Sequence, residues 1–151
     1  MTTVNKTIQT CHKIENIYSI VKDIGSYKQF LPGCSNSYII QTDHTPDNRE
    51  QVTARIDVSK MMVNTYFVSK NIYTPCSKIE INLVEGPFSH LRGYWAFTES
   101  NGYTGVNFYL EYKFNNMILS KLYSAVFDKI TDTIIEAFLE RADAVYGNIP
   151  S

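Results

Sequence analysis

Leucine, glycine and proline are scarce in this 151-residue chain, with 7 Leu, 7 Gly and 5 Pro. No run of 18 apolar residues occurs, so no segment reads as a membrane-spanning helix. The opening MTTVNKTIQT carries neither a basic-then-apolar signal nor an Arg-rich transit pattern, and the expectation is a cytoplasmic, bacterial protein. Cysteine is limited to Cys11, Cys34 and Cys76, an odd number without CxxC spacing. A disulfide framework or zinc site is therefore not expected, and the thiols read as free and buried. Charge of either sign is modest: 14 basic and 15 acidic residues are scattered along the chain for a net of −1. That balance lacks the basic footprint of a DNA- or RNA-gripping surface.

What is present is a globular core. Hydrophobic residues make up 44% of the chain, and Leu, Ile, Val and Phe alone reach about 27%, too many for a disordered polymer. The length suits one domain over 1–151, burying roughly 68–70% of its unfolded surface. Tyrosine is abundant at 11 residues, which suits strands facing a partly polar space.

Val4 and Ile8 alternate with polar neighbours as a first strand does. Ile14, Ile17, Val21 and Ile24 recur at helical spacing, which predicts a helix over about 12–24 ended by Gly25. A short helix over about 26–31 follows, capped by Ser26 and closed by Pro32-Gly33. From Cys34 to Phe114 the period is two, clearest where Val106, Phe108, Leu110, Tyr112 and Phe114 alternate with Asn107, Tyr109, Glu111 and Lys113. Turn signals at Thr45-Pro46-Asp47-Asn48, Thr74-Pro75, Gly86-Pro87 and Asn101-Gly102 predict an antiparallel meander with one buried face. Asn115 or Asn116 then caps a helix of about 30 residues, ended by Gly147 and Pro150. Its apolar stripe is Leu119, Tyr123, Val126, Phe127, Ile130, Ile134, Ala137 and Phe138, with Arg141 at its end. A rod about 45 Å long needs a long concave surface to cover, and a curved sheet supplies one. The fold class expected is α+β, a sheet of about seven strands gripping a C-terminal helix.

Catalytic signals are weak. His44 lies at a turn, His12 at the start of a helix, and His90 at a strand start where spatial pairing with Cys34 or Cys76 is conceivable but unsupported. Nucleophile elbows, phosphate loops and metal-ligand spacings do not occur, so catalytic and metal residues are none, and no cofactor is required. What the architecture offers instead is a hollow, because a straight helix leaves part of a bent sheet uncovered. Its expected lining is Trp95, Phe97, Phe108, Leu110, Tyr112, Phe127, Ile130 and Ile134, residues that equally well fill a solid core.

Two blocks of residues carry a family likeness. Asp23-Ile24-Gly25-Ser26-Tyr27-Lys28-Gln29-Phe30-Leu31-Pro32-Gly33-Cys34 resembles the D-x-x-x-Y-x-x-F-L-P-x-C signature of the coenzyme-Q-binding START-like proteins. These are grouped with the bacterial ribosome association toxin (RatA-type) family, within the polyketide cyclase-like helix-grip superfamily. Leu83 to Leu91 through Gly86-Pro87-Phe88, with Gly93, Trp95 and Phe97, is similar to the second block, and Val126 to Gly147 to the terminal helix.

The resemblance implies the helix-grip fold and two different functions. One is non-catalytic binding of ubiquinone or a related polyisoprenoid lipid in support of respiratory electron transport. The other is association with the large ribosomal subunit, blocking subunit joining, in a toxin paired with an antitoxin. An aromatic polyketide cyclase is a third reading, disfavoured for want of an acid–base pair. For a quinone, Tyr27, Phe30, Leu31 and Pro32 form the expected cavity mouth and a transient membrane contact at the inner face of the cell membrane. Tyr66, Tyr94 or Tyr112 are candidate hydrogen-bond donors to the quinone carbonyls, and the sequence leaves open which of them point inward. The long helix exposes Asp128, Asp132, Glu136, Glu140 and Asp143 against few cations, which argues against a broad rRNA contact on that face.

Overall fold

A computed structural model describes residues 1–148. Strand β1 (Thr2–Thr10) leads into helix α1 (Ile14–Lys22) and a 3-10 turn at Ile24–Gln29. Six strands follow: β2 (Cys34–His44), β3 (Glu50–Lys60), β4 (Val63–Thr74), β5 (Lys78–Glu85), β6 (Phe88–Ser100) and β7 (Tyr103–Phe114). Helix α2 (Met117–Tyr146) closes the described chain. The order and class are those expected from the sequence. All seven strands form one curved antiparallel sheet in the order β1-β7-β6-β5-β4-β3-β2. Strand β1 closes on β7 with Thr2 opposite Tyr112 and Thr10 opposite Thr104.

The curvature has local causes. Register shifts interrupt β2 twice, the β4–β5 pair at Val68/Ser69, and the β6–β7 pair at Phe88/His90. Each shift adds twist and bends its strand. At Gly93 the β7 backbone comes so close that an added Cβ would stand 2.1 Å from the Tyr109 carbonyl oxygen. Only glycine permits that approach.

Local chemistry moves several helix boundaries. Helix α1 runs over 14–22 rather than 12–24, because Lys13 occupies the N-cap and Asp23 already leaves helical geometry. Gly25 and Ser26 lie inside the 3-10 turn, and the Ser26 hydroxyl donates to Asp23 Oδ2 instead of capping. Asn116 is the cap of α2, its Oδ1 accepting from the Leu119 amide at 2.9 Å. Gly147 ends α2 at a φ of 94°, while Pro150 lies outside the described residues. The β3–β4 turn at Met61-Met62 has no glycine, proline or asparagine to announce it, and Met61 itself takes a φ of 60°. The thiols of Cys11, Cys34 and Cys76 are free, as expected, but half-buried rather than buried.

Both helices cover the concave face, and two apolar clusters fasten α2 there. Near its N-terminal half, Val126 and Phe127 pack with Val58, Val63, Phe88, Leu91, Tyr112 and Phe114. Near its C-terminal half, Ile135, Phe138 and Ala142 pack with α1, Tyr27, Trp95 and Phe108. His12, fully buried, fastens the same end: its Nε2 lies 2.7 Å from an Asp143 carboxylate oxygen.

Replacing Gly93 by Ala should lower stability by about 3 kcal/mol, because backbone has to move. Gly105→Ala, whose Cβ meets only the Thr98 hydroxyl, should cost markedly less. Urea unfolding midpoints check this, and equal losses at the two sites would contradict it.

Candidate functional site

Between the two clusters α2 and the sheet enclose a cavity of about 120 Å³. Its roof is Phe127, Ile130, Thr131, Ile134 and Phe138 of α2. Its floor comes from the inward positions of five strands, including Ile56, Ser69, Asn71, Ile79, Ile81, Trp95, Phe108, Leu110 and Tyr112. Val21, Ile24, Tyr27, Leu31, Pro32, Gly33 and Cys34 form one side. Pro32 is exposed and Gly33, Ile130 and Ile134 partly so, which makes them the rim. At that rim an added Cβ on Gly33 would sit 2.8 Å from Ile130 Cδ1, so the β2 approach loop and α2 touch there. The φ of 85° at Gly33 is a left-handed conformation that disfavours any other residue.

The sequence-predicted lining divides. Trp95, Phe108, Leu110, Tyr112, Phe127, Ile130 and Ile134 converge on the cavity. Phe97 does not: it lies one inward step beyond Trp95 on β6, edge-to-face with Tyr18 at 5.5 Å, in the core beneath α1. At the expected mouth, Tyr27 and Leu31 line the wall but are buried, and Pro32 alone is exposed. Phe30 points the other way, against Phe138 at 5.3 Å and under the Arg141 guanidinium at 5.2 Å. It lines a separate pocket between α1 and α2. The segment is thus tucked down by Tyr27, whose hydroxyl donates to the Val21 carbonyl, and is not an apolar contact surface.

Two of the three tyrosines expected to meet a ligand face outward. Tyr66 stacks under Arg55 and donates to Glu85, and Tyr94 stacks on Tyr109. Tyr112 faces inward, yet its hydroxyl is drawn to Asp128 Oδ1 at 2.9 Å. His90 lies 3.1 Å from Glu111 Oε1 on the outer face.

The polar groups in the wall are ones the sequence reading missed. Ser69 and Asn71 occupy successive inward positions of β4, both buried. Asn71 Nδ2 donates over 3.1–3.4 Å to Ser69 Oγ, the Ser69 carbonyl and the Val52 carbonyl. Among the described residues its Oδ1 receives only the Ser69 hydroxyl, at 3.5 Å. Long, shared bonds of this kind are readily exchanged for a better-aligned partner. Thr131 adds a third polar side chain from the roof, its hydroxyl donating to the Asp128 carbonyl at 3.1 Å. The signal was present in Phe67-x-Ser69-x-Asn71-x-Tyr73, an alternation whose inward members are partly polar.

No Asp, Glu, His, Lys or Arg lines the cavity among the described residues. The ionisable groups in its wall are Tyr27, Tyr112 and Cys34, and burial raises the pKa of each. The wall therefore carries no charge at neutral pH.

Comparison with known proteins now decides the family. The profile described as polyketide cyclase / dehydrase and lipid transport matches residues 10–139. The chain belongs to this family. Within it, the chain is 36% identical over 148 residues to the ribosome association toxin RatA of Escherichia coli, covering 97% of this chain and 90% of the relative. It is 27% identical over 149 residues to the mitochondrial coenzyme Q-binding protein COQ10 of Dictyostelium discoideum, covering 97% of this chain and 71% of that one. Among solved structures, the Zhui aromatase/cyclase of a Streptomyces superposes with a TM-score of 0.80 at 14% identity, over 94% of this chain and 93% of that one. The last likeness shows the shared helix-grip fold. Both sequence blocks that suggested the family contribute to the cavity, the first through Ile24 to Cys34 and the second through Leu91 and Trp95.

The buried tyrosines set an alkaline limit. Desolvation raises the pKa of Tyr18 to about 12 and those of Tyr27, Tyr73 and Tyr112 above the usual phenol value. Unfolded tyrosines ionise near pH ~10, so below that these groups leave stability unchanged, and above it the unfolded state gains by losing protons first. Stability should fall steadily from about pH 10 upward, with the exposed tyrosines ionising in the folded protein and the 295 nm absorbance of Tyr18, Tyr27, Tyr73 and Tyr112 appearing only with unfolding. Full phenolate absorbance in a folded protein at pH ~10.5 would contradict this placement.

Proposed function

We propose that the chain binds ubiquinone or a related prenylated quinone non-catalytically, head group in the cavity, in support of respiratory electron transport. The observation carrying this reading is an uncharged apolar chamber whose exchangeable hydrogen bonds are concentrated at Ser69, Asn71 and Thr131. A cavity of about 150 Å³ accommodates benzene, so the space of about 120 Å³ here has to widen substantially to admit a ring that carries methoxy and methyl groups, and it has no room for a tail. The tail leaves past Pro32, Gly33, Ile130 and Ile134. Its burial adds little affinity, since the competing state is a bilayer rather than water, and selection rests on the ring. Asn71 Nδ2 and the Ser69 hydroxyl are donors suited to a quinone carbonyl. A cyclase that works through a general base finds no carboxylate, imidazole or amine in this wall among the described residues, and burial holds its tyrosines and the Cys34 thiol protonated.

A second reading, association with the large ribosomal subunit, is favoured by the 36% identity to a ribosome association toxin. The acidic outer face of α2 directs such a contact to a ribosomal protein or to another face of this chain. The two activities do not exclude each other.

Trp95 is the single tryptophan and lies in the cavity wall, so its fluorescence reports occupancy directly. Titration with a short-chain ubiquinone should quench it saturably. Ser69→Ala combined with Asn71→Leu should weaken binding about tenfold while circular dichroism stays native, as expected for the loss of one or two hydrogen bonds. Absence of saturable quenching, together with ribosome gradients shifted towards free subunits on overproduction, would transfer the assignment to the second reading.

A further inference from the structure

Six exposed apolar residues gather at one end of this molecule, while Tyr38, Ile39 and Ile40 lie on edge strand β2 and Val145 and Tyr146 at the far end of α2. Met61 and Met62 form the β3–β4 turn, with Met62 96% exposed. Val84 stands at the neighbouring β5–β6 turn, whose Gly86 packs against Phe67 of β4. Met117, Ile118 and Leu122 are exposed on the first turns of α2, which joins the same turn through the Asn115 amide bonded to the Pro87 carbonyl at 2.9 Å. All three segments occupy one end of the grip. That end also carries the cavity rim: the Ser59 amide bonds the Gly33 carbonyl at 2.9 Å, and Lys60 lies beside Gly33.

The charge at this end differs from the rest of the chain. Lys60, Lys113 and Lys121 flank the apolar side chains, and the first turn of α2 carries no acid. The nearby carboxylates keep their charge: Glu85 accepts from the neutral Tyr66 phenol, Glu111 accepts from Tyr109 and lies against His90, and Asp57 pairs with Arg55, so the three lysines leave a small positive balance rather than a cationic ring. The acids of α2 begin at Asp128, in a chain whose overall charge is −1. Flexible apolar side chains at the tips of two turns and a helix, flanked by lysines, are what an interfacial membrane contact requires.

We propose that this end is a docking tip that seats Met61, Met62, Ile118 and Leu122 in the interface of an anionic lipid bilayer, with the cavity rim facing the membrane. The occupant is a bilayer because the cations match anionic headgroups and the surface is continuous with the rim of a chamber read as holding a lipid-borne ligand. The proposal rests on that reading for its purpose, and the contact itself is tested without ligand.

The test uses sedimentation with quinone-free vesicles of phosphatidylethanolamine and phosphatidylglycerol. The chain should bind, more tightly with more phosphatidylglycerol and less tightly as salt rises. Met61→Ser with Met62→Ser, and separately Ile118→Ser with Leu122→Ser, should each weaken binding at least about tenfold. Val145→Ser with Tyr146→Ser, exposed at the far end of α2, should leave it unchanged. All six positions are exposed, so folding is retained. Saturable quenching of Trp95 by a short-chain quinone in detergent should persist in the tip variants. Its loss in the wild type alone would remove the quinone reading and leave the tip standing. Vesicle binding absent in the wild type, or unaltered in both tip variants, overturns the proposal. So does finding that the tip variants abolish self-association, or cosedimentation with large ribosomal subunits, in a chain that does not bind vesicles.

Discussion

Helix α2 is held against the sheet at two places and spans the gap between them, and the rest of the molecule follows from that. Phe127 meets Phe88 at 5.4 Å and Phe114 at 5.4 Å on one side of the gap, while Phe138 meets Trp95 at 5.0 Å and Tyr27 at 5.1 Å on the other. Each aromatic contact adds about 0.5–1.5 kcal/mol beyond area burial. A rigid 30-residue rod fixed this way has no means of following a sheet that bends away beneath Ile130 and Ile134. The hollow is a consequence of geometry that the side chains available do not fill.

That geometry explains how much the residues revealed in advance. The strands of 52–58 and 106–114 were legible because one face is dry and the other wet, which fixes a period of two. Helix α2 was legible in length, since Asn116 and Gly147 bracket an unbroken pattern. Its stripe was less so: Thr131, Ile135 and Ala142 are buried although the largest side chains pointed elsewhere, because α2 touches both the sheet and α1. The β3–β4 turn was invisible because a methionine takes the left-handed conformation that glycine or asparagine would have signalled.

At the site, the convergence of Trp95, Phe108, Leu110, Tyr112, Phe127, Ile130 and Ile134 was readable from alternation. Phe97 shares the same alternation, and period alone does not say how far along a strand the cavity extends. Phe30 shares a motif with Tyr27 and Leu31, yet a 3-10 turn rotates it onto Phe138. Ser69 and Asn71 were overlooked because polar residues at inward positions imitate an exposed strand. They matter chemically for that reason: burying polar groups in an apolar wall is unfavourable unless they are bonded, and their mutual bonds are long.

Isotope-edited NMR of the protein with a short-chain ubiquinone tests the central claim directly. The account predicts nuclear Overhauser contacts from the quinone ring to the methyl groups of Ile79, Ile81, Leu110, Ile130 and Ile134, flanking Asn71. Saturable binding whose contacts fall only on exposed methyls such as Ile39, Ile40 and Val145 would contradict it.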